Sequence, residues 1–105
     1  MSELGDKQKK FTSMVARLIL HAEALGYAVT FGDAYRDPRA PYGAVNSKHK
    51  ERRAIDLNLF ELKDKEWSYL TQTKDHEPLG IYWESIGGVW GGRWTSNPDG
   101  NHYEY

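Results

Sequence analysis

The residues able to do chemistry in this chain are few, and their types narrow the chemistry at once. There is no cysteine, so disulfides, thiolate metal sites and cysteine nucleophiles are excluded. Any metal must be held by His, Asp or Glu. Of the four histidines, His21, His49, His76 and His102, two stand in useful company. His49 precedes Asp56 by seven positions, and Asp99 precedes His102 by three. Two imidazoles and a carboxylate with one open position form the donor set of a hydrolytic zinc site. A further carboxylate beside the open position would serve as general base. Convergence of His49, Asp56 and His102 requires their segments to be neighbours in one sheet, with Asp99 aimed across a turn.

Each of these residues also has a plainer reading. A lone histidine is more often a surface or hydrogen-bonded group than a ligand. Asp56 could be only the polar half of a strand, and Asp99 an ordinary turn residue. His21 lies on the flank of an apolar stripe and His76 in the charged run Lys74-Asp75-His76-Glu77, so neither is assigned a chemical role. The basic run Lys48 to Arg53 is interrupted by Glu51. A net charge of −1 over 105 residues gives it no support as a nucleic-acid patch. Salt-dependent DNA binding by residues 48–53 remains the rival that this run alone would suggest.

The elements that must position these side chains can be read from periodicity. Phe11, Met14, Val15, Leu18, Ile19, Ala22 and Leu25 mark the apolar stripe of an amphipathic helix, with Gly26 suited to its C′ position. Tyr27 to Phe31 reads as a strand, and Gly32 to Asn46 as a Gly-, Pro- and charge-rich loop with Arg36 near its start. From Ala54 to Phe60 the period is two, with Ile55, Leu57 and Leu59 on one face and Asp56 and Asn58 on the other. Residues 61–76 suggest a hairpin or short excursion. A second helix is expected from Pro78 to Ile86, with Gly87 at its end. A type I turn is expected at Asn97-Pro98-Asp99-Gly100, followed by a short strand from Asn101 to Tyr105. There His102 and Glu104 point one way and Tyr103 and Tyr105 the other.

The 105 residues are expected to form one domain, 1–105, of α+β class. One long and one short helix would pack on a small, mainly antiparallel sheet that carries the metal site. A core this small leaves a modest stability margin, which a metal tie would raise. The N-terminus carries no apolar run of signal-peptide length, so synthesis in the cytoplasm is expected, with no membrane or nucleic-acid partner and a monomeric state.

Four segments carry a resemblance to a known family. Ser47-Lys48-His49-Lys50-Glu51-Arg52-Arg53-Ala54-Ile55-Asp56 resembles the Ser-x-His-x-x-Gly-x-Ala-x-Asp motif of the M15 zinc peptidases. That group includes VanY-type D-Ala-D-Ala carboxypeptidases and phage L-alanyl-D-glutamate endopeptidases. Asp99-Gly100-Asn101-His102 is similar to the second motif, Asp/Glu-x-x-His. Trp90-Gly91-Gly92-Arg93-Trp94 resembles the tryptophan-glycine segment of the endopeptidase branch, and Tyr35-Arg36 matches the family's arginine after a strand.

The resemblance implies a Hedgehog/DD-peptidase-like fold with zinc on His49, Asp56 and His102 and Asp99 as base. Arg36 would bind substrate or stabilise the oxyanion, and Ser47 would support the site. The implied substrate is a peptidoglycan stem peptide, cut as by an L-alanyl-D-glutamate endopeptidase of phage-lysis type acting on the wall after release. A D-Ala-D-Ala carboxypeptidase or a non-catalytic wall-binding module are the alternatives. One departure stands out: Arg52 occupies the family's glycine position. If that position needs positive φ, the cost is on the order of 1 kcal/mol.

Overall fold

The first helix begins where Ser2 can cap it. The Ser2 hydroxyl accepts from the Gly5 N–H at 3.0 Å, and α1 then runs Glu3–Ala24. Phe11, Met14, Leu18 and Ala22 are its buried stripe. Leu25, expected on that stripe, is instead the C-cap and about half exposed. Gly26 takes the expected C′ position at φ +90°, and at the cap before it the Leu25 side chain leaves the buried stripe. The computed structural model describes residues 2–37, 39 and 47–105. The second part of the loop expected at 32–46 therefore lies outside the described residues.

Among the described residues five strands follow: β1 (Tyr27–Phe31), β2 (Ala54–Lys63), β3 (Glu66–Leu70), β4 (Val89–Trp90) and β5 (His102–Glu104). All the pairings are antiparallel. β2 is the centre. It pairs β1 along one edge, while β5 and then β3 share the other edge in succession, and β4 extends the sheet beyond β5. The ambiguous segment 61–76 resolves into the β2–β3 hairpin and a 3₁₀ turn at Thr73–His76. Asp64 and Lys65 have φ of 50° and 69° at the hairpin tip, the backbone that a two-residue turn of type I′ requires.

The second helix, α2 (Glu77–Ser85), packs beside α1 over the apolar face of β2. Phe11 meets Trp83 edge-on with ring centroids 5.9 Å apart, and Trp83 meets Tyr103 at 5.9 Å. Burying rings and aliphatic chains of this size contributes roughly 1.5–3 kcal/mol each. Trp90 is the second anchor. Its indole lies so close to Gly80 and Gly92 that a Cβ on either would collide with it, and its Nε1 donates to the Gly100 carbonyl at 2.7 Å.

The turn near the C-terminus is displaced from its expected place. Asn97 takes a left-handed φ of 53°, and the hydrogen-bonded turn closes at Asp99–His102, with the His102 N–H donating to the Asp99 carbonyl at 3.2 Å. Gly100 cannot serve the expected turn because its N–H is committed to the Thr73 hydroxyl at 3.2 Å, with no room for a Cβ against Thr73. His21 stacks on Tyr82 at 4.0 Å. His76 is buried, with its Nδ1 2.8 Å from the Tyr103 hydroxyl.

Burial holds the His76 pKa down at about 4, against a weaker opposing pull from Asp75. The unfolded chain, with a histidine pKa near 6.5, therefore takes up the proton first. The contribution of neutral His76 is complete above about pH 6.5 and lost as pH falls towards 4, up to about 3 kcal/mol. The melting temperature of the wild-type protein is expected to fall more steeply over that window than that of a His76→Gln variant. Parallel curves would assign the acid sensitivity to other groups.

Candidate metal and catalytic site

The register of β2 against β5 sets the site. Asp56 and His102 are directly opposed cross-strand partners, so both side chains rise from the same face of the sheet. His49 arrives from another element, the 3₁₀ turn Lys48–Glu51. Ser47 caps that turn, its hydroxyl accepting from the His49 N–H at 3.3 Å. Arg52 closes it at φ 57°, ψ 38°. The position does need the left-handed region, and this arginine adopts it at a cost of about 1 kcal/mol. Its guanidinium sits 4.1 Å from the centroid of the Tyr35 ring, a contact that offsets part of that cost.

Asp56 Oδ1 lies 3.2 Å from His49 Nε2 and 3.3 Å from His102 Nδ1. The two imidazoles are nearly perpendicular, at 78° with centroids 5.0 Å apart, and both are buried. One donor atom from each of the three residues lies within 4.8 Å of the others. Tetrahedral zinc, with bonds of about 2.0–2.1 Å, separates its ligands by roughly 3.3 Å, so the two short separations fit such an ion. The far nitrogen of His102, Nε2, lies 2.8 Å from Glu104 Oε1, the kind of carboxylate support that orients metal-binding histidines. The buried Nδ1 of His49 has no hydrogen-bond partner among the described residues.

Electrostatics point the same way. Burial opposes charge on His102, but Asp56 and Glu104 at its two ring nitrogens outweigh it and push its pKa up to about 9. Burial likewise opposes ionisation of Asp56, yet His102 and His49 hold it down at about 2. Positive charge is thus favoured between the carboxylates. A cation bound there displaces the His102 proton.

Arg36, Ser47, His49, Asp56, Trp94, Asp99 and His102 all line one cavity of about 190 Å³. Every residue singled out from the sequence as ligand, base or substrate group is at its wall. Arg36 is buried; its guanidinium is 3.3 Å from Asp33 Oδ2, and its backbone N–H donates to the His49 carbonyl at 3.1 Å. Asp99 is held by its N–H to the Gly91 carbonyl at 3.0 Å. A Cβ on Gly91 would run into the Asp99 carbonyl. The glycines after Trp90 therefore let the Asp99 turn close on the site. Burial, then the charge of Asp56, raises the Asp99 pKa, with the two histidines opposing.

Two residues of the site had no role assigned from sequence. Trp94, whose ring lies 4.9 Å from that of His102, forms part of the wall; its signal was the motif Trp90 to Trp94. Glu104 was visible only as a residue on the same strand face as His102. Glu104→Gln is expected to weaken Zn²⁺ binding by roughly 10- to 100-fold, measured by competition with a chromophoric chelator. Unchanged affinity would reduce Glu104 to a surface neighbour.

Comparison with known proteins agrees with this geometry. A family model for M15 peptidases, described as D-alanyl-D-alanine carboxypeptidase, matches residues 42–105. No curated protein matches the chain. Among solved structures, the crystal structure of the Serratia marcescens L-Ala D-Glu endopeptidase ChiX superposes with a TM-score of 0.61 at 18% identity, covering 89% of this chain and 77% of that one. That likeness is one of fold. Since the family model spans more than half of the chain and includes both motifs that build the cavity, the chain belongs to the M15 peptidase family.

Proposed function

We propose that this peptidase is zinc-dependent and hydrolyses stem peptides of peptidoglycan between L-alanine and D-glutamate. The observation that carries the reading is the single cavity uniting His49, Asp56 and His102 with Asp99 and Arg36. A donor set without a base would suit a structural metal or a silent binding module; here the base stands at the same wall. His49, Asp56 and His102 would hold the zinc. When bound, zinc supplies a Lewis acid that polarises a carbonyl and lowers the pKa of water towards about 7.

The remaining steps belong to the chain's own groups. Asp99, its basicity raised by burial, accepts a proton from the attacking water at its carboxylate and passes it to the leaving amine. Arg36 presents a buried cation where negative charge grows on the carbonyl oxygen or where a substrate carboxylate docks. Glu104 keeps the His102 ring in orientation, and Trp94 covers its side. The endopeptidase reading is supported by aspartate at position 99, by the Trp90 to Trp94 segment and by the fold likeness to an L-Ala D-Glu endopeptidase. The family description favours a second reading, removal of terminal D-alanine. Action as a monomer on the cell wall after release from the cytoplasm, as in phage lysis, completes the proposal.

Mass spectrometry of fragments released from purified peptidoglycan tests the bond. New D-glutamate amino termini support the endopeptidase, free D-alanine the carboxypeptidase, and no release from zinc-loaded protein overturns both. Asp99→Ala should retain one zinc per chain and melt within a few degrees of wild type while losing most of kcat. His102→Ala should lose zinc and the stability linked to it. The reverse pattern would exchange the two roles. Arg36→Ala is expected to lower kcat/KM by roughly a hundredfold. Its melting temperature is expected to move by far less than its turnover falls. A variant that melts early but turns over normally would make Arg36 a structural residue.

A further inference from the structure

The face of β2 that carries Asp56 does not end at the metal ligands. The next side chains on it are Asn58, Phe60 and Leu62. β1 lays Thr30 beside Asn58, and β3 lays Tyr69 beside Phe60 and Trp67 beside Leu62. The result is a continuous row on the sheet face opposite the helices. Trp67, Tyr69 and Leu62 are each 54% exposed. The Phe60 and Tyr69 rings are 5.2 Å apart. Tyr69 donates its hydroxyl to Asn58 Oδ1 at 3.5 Å, and Asn58 donates its amide to Thr30 Oγ1 at 3.3 Å. From Asn58 to Leu62 the described side chains of this row carry no charge. Exposed apolar surface of this kind, adjoining a cleft, marks a binding surface.

The row joins the site physically. Tyr69 lines a second, polar cavity of about 240 Å³ together with Gln72, His76 and Asp99, and Asp99 also lines the site cavity. Resting on the reading of the substrate given above, we propose that this row seats a sugar ring of the glycan strand that bears the stem peptide.

Three features select a sugar. Flat rings beside amide and hydroxyl groups match a pyranose, which offers an apolar C–H face and a polar rim of hydroxyl and acetamido groups. The distal stem peptide, by contrast, carries free carboxylates, and a row without a cation offers them nothing. Spacing agrees as well. Side chains on one strand face recur about every 6.8 Å, which puts Asn58 roughly 7 Å and Phe60 roughly 14 Å from Asp56. One alanine and the lactyl link, at about 3.3–3.6 Å per extended unit, place the first sugar roughly 7 Å from an L-Ala–D-Glu bond, over Asn58 and the Tyr69 hydroxyl bonded to it, so that the next sugar of the strand reaches the Phe60 and Tyr69 rings. The terminal D-Ala bond lies three units further from the sugar, roughly 17 Å in all, beyond the Tyr69 and Phe60 pair.

The test compares kcat/KM for a disaccharide-bearing stem peptide with that for the same peptide without sugar, in zinc-loaded wild type, Asn58→Ala and Tyr69→Ala. Neither side chain is buried, and circular dichroism verifies that the variants fold. Wild type is expected to prefer the sugar-bearing substrate by tenfold or more, and both variants to lose most of that ratio. A wild-type ratio near one, or variants that keep the wild-type ratio, overturns the proposal. Titration with a peptide-free N-acetylglucosamine oligomer gives a readout independent of hydrolysis. Tryptophan fluorescence should shift in wild type and not in Trp67→Ala, and no shift in wild type counts against the sugar row. If neither peptide is cleaved but the fluorescence shifts, the proposed reaction fails and the sugar row stands. A wild-type dimer that Trp67→Ala dissociates would assign the face to a second copy of the chain instead.

Discussion

The arrangement depends on three residue pairs between β2 and β5: Ala54 with Glu104, Ile55 with Tyr103, and Asp56 with His102. So short a ladder could slip, and a slip of one residue would turn His102 into the core and Tyr103 towards the cavity. What prevents it is the other face of β5. Tyr103 is fully buried against Trp83 and bonded to His76. Trp83 Nε1 donates to the Glu104 carbonyl at 2.9 Å, and Arg53 Nε donates to the Tyr105 carbonyl at 2.6 Å. The apolar core thus fixes which way the polar face of β5 points, and the metal-binding geometry follows from it.

The second constraint is electrostatic. Two buried imidazoles around one carboxylate, with Glu104 behind, are expensive to keep out of water unless the charges balance. A proton on His102, whose pKa the two carboxylates push up to about 9, contributes to that balance. A divalent cation supplies more of it, so metal affinity and stability in this small domain are linked. Asp99 lines the same cavity, its pKa raised by burial and then by the charge of Asp56.

The Asp99 turn is fastened from behind. Trp90 wedges between Gly80 and Gly92 and holds the Gly100 carbonyl, while Gly91 and Gly100 admit backbone where any Cβ would collide. These glycines act through close approach, and none of the four has a positive φ. The tryptophan-glycine segment is therefore a mounting for Asp99 as much as a part of the core.

The sequence alone determined the chemistry and most of the elements. Without cysteine, only His and carboxylates could ligate a metal; a period of two exposed Asp56 on the polar face of its strand; and a period near 3.6 marked both helices. These are local properties, carried by side-chain type and backbone repeat. What only the tertiary structure decided is which strands are neighbours, since pairing of residues more than forty positions apart leaves no local trace. That pairing made His102 face Asp56, gave Glu104 and Trp94 their places, and showed Thr73 claiming the Gly100 N–H, which moved the turn to Asp99–His102. It also buried His76, left without a role from sequence, against the Tyr103 hydroxyl, a contact between residues 27 positions apart that no local pattern announces.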